Sequence, residues 1–326
     1  MNEHPPNGSR WEGTAGAGRW LLFACLLLAG PLVGAETNRV LHLGFSSSVF
    51  ATVNENDAKA AMKVWGQSIA QEYGVMFTAE PTLFNSGQEI ASAVRNKSID
   101  AVTMTAEEYS ILNAALLSSN AIVGMRGGQM TEEYLLLVRR DSDIGRIEDL
   151  RGRSLIFFHN ARASLAPIWF ETLLLKSGLG QTSQFCGRVT QAVKLTQAVL
   201  PVFFRQADAC LVTRQGFETM VELNPQIGQQ LKTLEASPAM LPVVFVFRSD
   251  YSDPLKHQIE SKIPSTVAGR QFLTLFQCDS METHPVSVLD SALELLATHA
   301  RLIDAANHAA LAHAGIPISN GKTGGP

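Results

Sequence analysis

Residues 149–167 read DLRGRSLIFFHNARASLAP: a charged turn, a short apolar run, His-Asn-Ala-Arg-Ala-Ser, and a proline. Leu155-Ile-Phe-Phe158 has the length and composition of a buried strand. A helix is expected from Ser164 to Ser177, with Pro167 tolerated in its first turn and Gly178 as the stop. A strand that runs through a polar loop directly into a helix is half of a βα unit. In open α/β sheets such a loop, at the carboxyl end of its strand, is where ligands are met.

Similar units extend in both directions. Upstream, Val40 to Phe45 reads as a strand. Asn54 to Tyr73 follows as a helix with Ala58, Met62, Trp65 and Ile69 on one face, stopped by Gly74. Val75, Phe77 and Ala79 alternate as in a strand. Ser86-Gly-Gln-Glu89 then signals a capped helix carrying Ile90 and Val94. Asp100 to Met104 is a buried strand, Thr105-Ala-Glu-Glu108 a second capping box opening a helix with Tyr109, Leu112 and Leu116, and Ala121 to Met125 closes the series. Downstream, a strand over Phe185 to Val189, a helix near Thr196 to Gln206 and a strand Ala209 to Val212 repeat the pattern, and helices over 254–262, 267–276 and 286–308 fill the remainder. Two βαβ series predict α/β architecture in two doubly wound lobes with a ligand cleft between them. The extended segments 135–139 and 243–247 serve as crossover strands. The first lobe then comprises 36–134 and 248–316, the second 135–247, with a frayed tail over 317–326.

The chain has 326 residues, 46% apolar and 17% charged, which suits one or two folded domains. A net charge of -4 without a basic cluster excludes nucleic acid as a partner. Arg10 and Arg19 precede an apolar run beginning at Trp20, Pro31 breaks it, and Val33-Gly34-Ala35 offers small residues for cleavage. Residues 1–35 therefore read as a signal peptide with the mature start near Glu36 and a periplasmic destination, since the run falls short of the roughly 20 apolar residues of a spanning helix. Three cysteines remain, Cys186, Cys210 and Cys278, an odd number expected to behave as small buried hydrophobes. No ligand cluster calls for a metal, and no cofactor motif is present.

The order of motifs resembles the type II periplasmic binding proteins, and most closely the phosphate/phosphite/phosphonate substrate-binding proteins of ABC importers. Leu43-Gly-Phe-Ser46, Ile99-Asp-Ala-Val-Thr-Met-Thr-Ala-Glu-Glu-Tyr109, Asp149-Leu-Arg-Gly-Arg153, Ala207-Asp-Ala209 and Ala268-Gly-Arg-Gln-Phe-Leu273 carry the resemblance. In that family the loop after the Asp-Leu-x-Gly strand presents hydroxyls and helix N-terminal amides to an oxyanion. The matching stretch here is His159 to Ser164, in which Ser164 alone keeps the hydroxyl and the Gly-Tyr continuation is missing.

The resemblance implies a set of ligand-binding residues. In the second lobe these are His159, Asn160, Arg162 and Ser164, with Thr213 and Arg214 after the later strand. Facing them are Ser46, Ser47 and Ser48 after the first strand, and Thr103, Thr105 and Tyr109 around the third. Arg162 is suited to a two-pronged pair with a phosphonate, sulfonate or carboxylate, its alternative being a solvent-exposed loop charge. Structural readings stand beside several others: a backbone hydrogen bond for His159, helix caps for Ser164 and Thr105, and a polar turn for the serines.

The function implied is a monomeric periplasmic binding protein that closes on a small anion and delivers it to an ABC-transporter permease. The alternative partner is a membrane sensor kinase that reads the closed form. Catalysis has no sequence feature in its favour. On this reading Arg162→Ala weakens ligand binding more than folding.

Overall fold

The computed structural model describes residues 39–50, 54–73, 77–261, 270 and 273–313. The signal segment, Gly74, Val75, half of the helix expected over 267–276 and the tail lie outside the described residues, as do the side chains of Trp65 and Ile69.

The first series supplies β1 (Arg39–Ser46), α1 (Glu55–Tyr73), β2 (Phe77–Phe84), α2 (Gly87–Arg95), β3 (Ala101–Thr105), α3 (Ala106–Ile111) and β4 (Leu117–Met125). The second supplies β5 (Tyr134–Arg139), β6 (Ser154–Phe158), α4 (Ala166–Lys176), α5 (Thr182–Phe185), β7 (Arg188–Ala192), α6 (Leu195–Phe203), β8 (Ala209–Thr213), α7 (Arg214–Leu223), α8 (Pro225–Gln230) and β9 (Leu231–Ala236). Then come β10 (Val243–Arg248), α9 (Pro254–Ser261), β11 (Ser280–Pro285) and α10 (Asp290–His313).

The described strands build a six-stranded sheet, ordered β11-β4-β10-β3-β1-β2, and a five-stranded sheet, ordered β7-β6-β8-β5-β9. Both share one plan. One strand of each sheet sits between two parallel partners, β1 between β2 and β3, and β6 between β7 and β8. An antiparallel strand follows in each sheet: β10 between β3 and β4 in the first, β5 between β8 and β9 in the second. The chain leaves the first sheet through residues 126–133 and returns through 237–242. There Glu132 and Met240 form an antiparallel bridge with hydrogen bonds of 2.8 and 2.9 Å. The stretches 135–139 and 243–247 continue from these crossings as sheet strands, each in the lobe just entered.

Several elements differ from expectation, for physical reasons. The α3 helix ends at Ile111 rather than near Leu116, because Asn113 caps a separate 3-10 turn over Ala114–Leu116 with its side chain on the Ala115 N–H. Residues 182–185 are a helical turn, and the strand expected over 185–189 starts only at Arg188. Gly187 sets that start: a Cβ there would lie 2.2 Å from the Gly152 carbonyl oxygen, so the two loops touch through bare backbone. Between the expected helices, β11 pairs antiparallel with β4.

The core crosses the lobes. One contiguous apolar cluster joins Met104 and Val244 of the first sheet to Leu136 and Leu211 of the second and to Leu289 and Ala292 at the start of the C-terminal helix. Helix α10 packs on both α3 and α4, and His299 Nε2 lies 2.9 Å from Glu171 Oε2 of α4. The C-terminal helix thus straps the two lobes together. Cys186, Cys210 and Cys278 are all free and buried, as small hydrophobes would be. Among the described residues, no helix is long and apolar enough to cross a membrane.

Candidate functional site

The carboxyl ends of β1 and β3 bring Ser46, Ser47, Ser48 and Thr105 to one corner of the first lobe. The group at its centre is Glu108, a buried carboxylate one turn into α3. Its Oε2 accepts from the Thr105 N–H at 2.9 Å and the Thr105 hydroxyl at 3.1 Å, completing a reciprocal capping box. Its Oε1 accepts from the Ser46 hydroxyl at 2.5 Å and the Ser48 hydroxyl at 3.2 Å. Ser46 is wholly buried and its oxygen also takes the Ser48 N–H at 3.0 Å, whereas Ser48 itself is exposed. Four donors converge on one carboxylate, which marks this corner as a place that holds an oxyanion. The oxyanion held here is the chain's own.

Across from it, β6 ends at Phe158 and the chain turns through His159 and Asn160 into a 3-10 turn, Ala161–Ala163, before α4. This turn touches the Ser47–Phe50 turn of the first lobe, and Ala161 packs against the cluster of Phe45, Val49 and Phe50. Asn160 caps the 3-10 turn by accepting from the Ala163 N–H at 2.8 Å, and its Nδ2 donates to Gln277 Oε1 at 3.3 Å. The His159 N–H donates to the Ala192 carbonyl at 2.9 Å and its side chain is exposed.

Ser164 does not cap α4. The N-cap is Leu165, without a side-chain hydrogen bond, and Pro167 occupies the first turn. The Ser164 hydroxyl oxygen is buried and has no hydrogen-bond partner among the described residues. The first amides of an α-helix have no intrahelical acceptor and carry its positive dipole end. An unmatched buried hydroxyl therefore lies one residue before an unmatched helix start.

Arg162 is buried, not a solvent-exposed charge. Its Nε donates to Glu132 Oε1, itself only 3% exposed, and its Nη1 reaches the Gly124 carbonyl of β4 at 3.5 Å. Tyr134 donates its hydroxyl to the Arg162 carbonyl at 3.1 Å, and burial pushes the ionisation of that hydroxyl upward. The guanidinium therefore ties the crossing segment, the second-lobe turn and the first sheet together. It also pulls down the Cys278 thiol, although burial dominates and raises that thiol to about 11.

The remaining expected residues are more dispersed. Thr103 is buried within β3, in register with Phe45 and Phe245. Tyr109 is buried against the apolar cluster, and its hydroxyl is raised by burial and then by Asp290. Thr213 caps α7, accepting from the Gly216 N–H at 3.3 Å. Half-exposed Arg214 pairs with Glu133 at 2.8 Å and approaches Glu218 at 3.7 Å. It lines a cavity of about 390 Å³ beside the crossings, together with Gly127, Gln129, Glu132, Glu133 and Gln215.

Sequence reasoning did not single out Glu108 and Glu132 as part of this region. Glu108 was visible as half of a capping box, but its reach to serines some 60 residues away has no local signature. Glu132 stands in a connecting segment without periodicity, and nothing in the sequence couples it to Arg162.

A family model described as the periplasmic substrate-binding protein of phosphonate ABC transporters matches residues 48–282. Solved structures share the fold. A Xanthomonas citri protein with bound ATP is 17% identical, with a TM-score of 0.58 over 81% of this chain and 98% of its own. A binding-protein component of a phosphonate ABC transporter from Pseudomonas aeruginosa is 16% identical, with a TM-score of 0.53 over 83% of this chain and 89% of its own. A Prochlorococcus marinus protein in complex with methylphosphonate is 14% identical, with a TM-score of 0.51 over 79% of this chain and 97% of its own. No curated protein sequence matches.

Proposed function

The chain belongs to the family of phosphonate ABC-transporter periplasmic substrate-binding proteins, and from that premise we propose that it captures a small organic oxyanion between its lobes and delivers it to an importer permease. The observation that carries this reading is the buried Ser164 hydroxyl at the start of α4, which has no hydrogen-bond partner among the described residues. An unsatisfied buried polar group costs about 1–3 kcal/mol, and a phosphonate oxygen seated on the helix start would remove that cost while meeting the Ala166 and Ile168 amides. Two proteins of this fold were solved with ligands that carry phosphorus oxyanions, in agreement with this class.

Thermal unfolding against phosphate, alkylphosphonates, aminoalkylphosphonates, sulfonates and small carboxylates tests the reading. A ligand at about 100 times its Kd adds roughly 2.7 kcal/mol, and about 2–4 °C per kcal/mol for a chain of this size gives a shift of about 5–11 °C. Selective stabilisation by phosphorus oxyanions is expected. No shift with any of them would overturn the reading.

A further inference from the structure

We propose that Glu108 is a specificity-determining residue that makes the first-lobe corner a receptor for a hydrogen-bond donor instead of a second oxyanion. This inference rests on the cleft reading above and names which end of the ligand meets which lobe.

A hydroxyl has one proton to donate and two lone pairs with which to accept, and an ionised carboxylate only accepts. The hydroxyls of Ser46, Ser48 and Thr105 each direct their proton to Glu108. The Thr105 N–H is spent on the same carboxylate. None of these protons remains for a ligand, and what these three hydroxyls still offer is lone pairs. One lone pair of Ser46 is taken by the Ser48 N–H and one of Thr105 by the Glu108 N–H. Ser48 is exposed and accepts nothing among the described hydrogen bonds, so it is the accessible acceptor. The negative charge behind these oxygens repels an anion and favours a hydroxyl or ammonium group. The ligand class is therefore bifunctional: an oxyanion for the start of α4 in the second lobe and an O–H or N–H group for Ser48 in the first.

Glu108→Gln inverts the polarity in a defined way. The Thr105 N–H is fixed by the backbone and demands an acceptor, so the amide oxygen must take the Oε2 place and the amide nitrogen falls beside Ser46 and Ser48. Those serines then accept from the amide, and their own protons are released toward the cleft.

The experiment is calorimetric titration of the wild-type chain, Glu108→Gln and Ser48→Ala with three near-isosteric probes: propylphosphonate, 2-hydroxyethylphosphonate and 2-aminoethylphosphonate. The wild type is expected to prefer the two donor-bearing probes by about tenfold, the worth of one good hydrogen bond. Glu108→Gln is expected to reduce that preference to within about threefold. Ser48→Ala, which leaves the buried bonds of Ser46 and Thr105 intact, lowers affinity for the donor-bearing probes and leaves propylphosphonate unchanged, and it supplies the test if Glu108→Gln does not fold. Equal wild-type affinity for all three probes, or a preference untouched by both variants, overturns the role of Glu108 while the oxyanion reading stands. Failure of the wild type to bind any probe overturns both.

Discussion

Replacing Arg162 with alanine should damage the fold before it damages recognition. The guanidinium and its partner Glu132 are 6% and 3% exposed, so neither charge can turn to solvent when the other is removed. Breaking a buried pair by deleting one partner costs about 3–5 kcal/mol, because the survivor is left buried and unpaired. For a chain of this size that is a drop of about 6–20 °C in Tm. The assay is thermal or urea unfolding of Arg162→Ala, Glu132→Gln and the double variant Arg162→Met/Glu132→Leu. The double variant should recover most of the loss, since well-packed apolar groups replace a buried pair at little net cost. A loss below about 1 kcal/mol for Arg162→Ala, the scale of a solvated surface pair, would refute the buried-pair reasoning. It would restore the expectation, drawn from sequence, that binding suffers more than folding.

Three further outcomes follow from local geometry. A hydrogen bond from Arg139, with Arg205 alongside, holds the Asp141 carboxyl down at about 2, so its contribution is present above the ordinary carboxylate range near pH 4 and is lost as pH falls through about 2. Asp141→Asn should therefore unfold at lower temperature than wild type at pH 7, with the gap closing as pH falls through about 2, and a gap as large at pH 2 as at pH 7 would contradict this. Burial pushes the Cys186 and Cys278 thiols up to about 11 and raises Cys210 as well. In a chain beginning at Glu36, a thiol reagent at pH 8 should modify none of the three until denaturant is added, and rapid labelling of the native protein would refute the burial. Glu171 accepts from the Thr182 N–H at 3.2 Å in addition to facing His299. Glu171→Ala should cost more stability than His299→Ala, whose half-exposed bridge is worth at most about 1 kcal/mol, and the reverse order in urea midpoints would count against the strap.

Legibility of the fold tracked burial. Strands covered on both faces, such as β3 (AVTMT), β8 (ACLVT) and β10 (VVFVFR), stand out as apolar runs. The edge strands β7 (RVTQA) and β11 (SMETHP) are largely exposed and β9 (LKTLEA) is only partly covered, so their composition carries little signal and tertiary pairing decides them. The candidate site was legible as a set of positions but not as a set of bonds. Ser46, Ser48 and Thr105 meet at one corner, but what they hold is Glu108. Arg162 stands at the loop where an anion was expected, yet Glu132, 30 residues earlier, already neutralises it. Pairings that span tens of residues leave no periodicity or spacing to read.

The most direct test of the account is calorimetric titration of 2-hydroxyethylphosphonate into the wild-type chain and into Ser164→Ala. The oxyanion of this probe serves the second lobe whichever group meets the first. One site per chain is expected in the wild type, with affinity about tenfold weaker in Ser164→Ala and no loss of Tm, because the hydroxyl removed has no partner among the described residues. Equal affinity in the two chains, or no binding by the wild type, would contradict capture of an oxyanion at the start of α4.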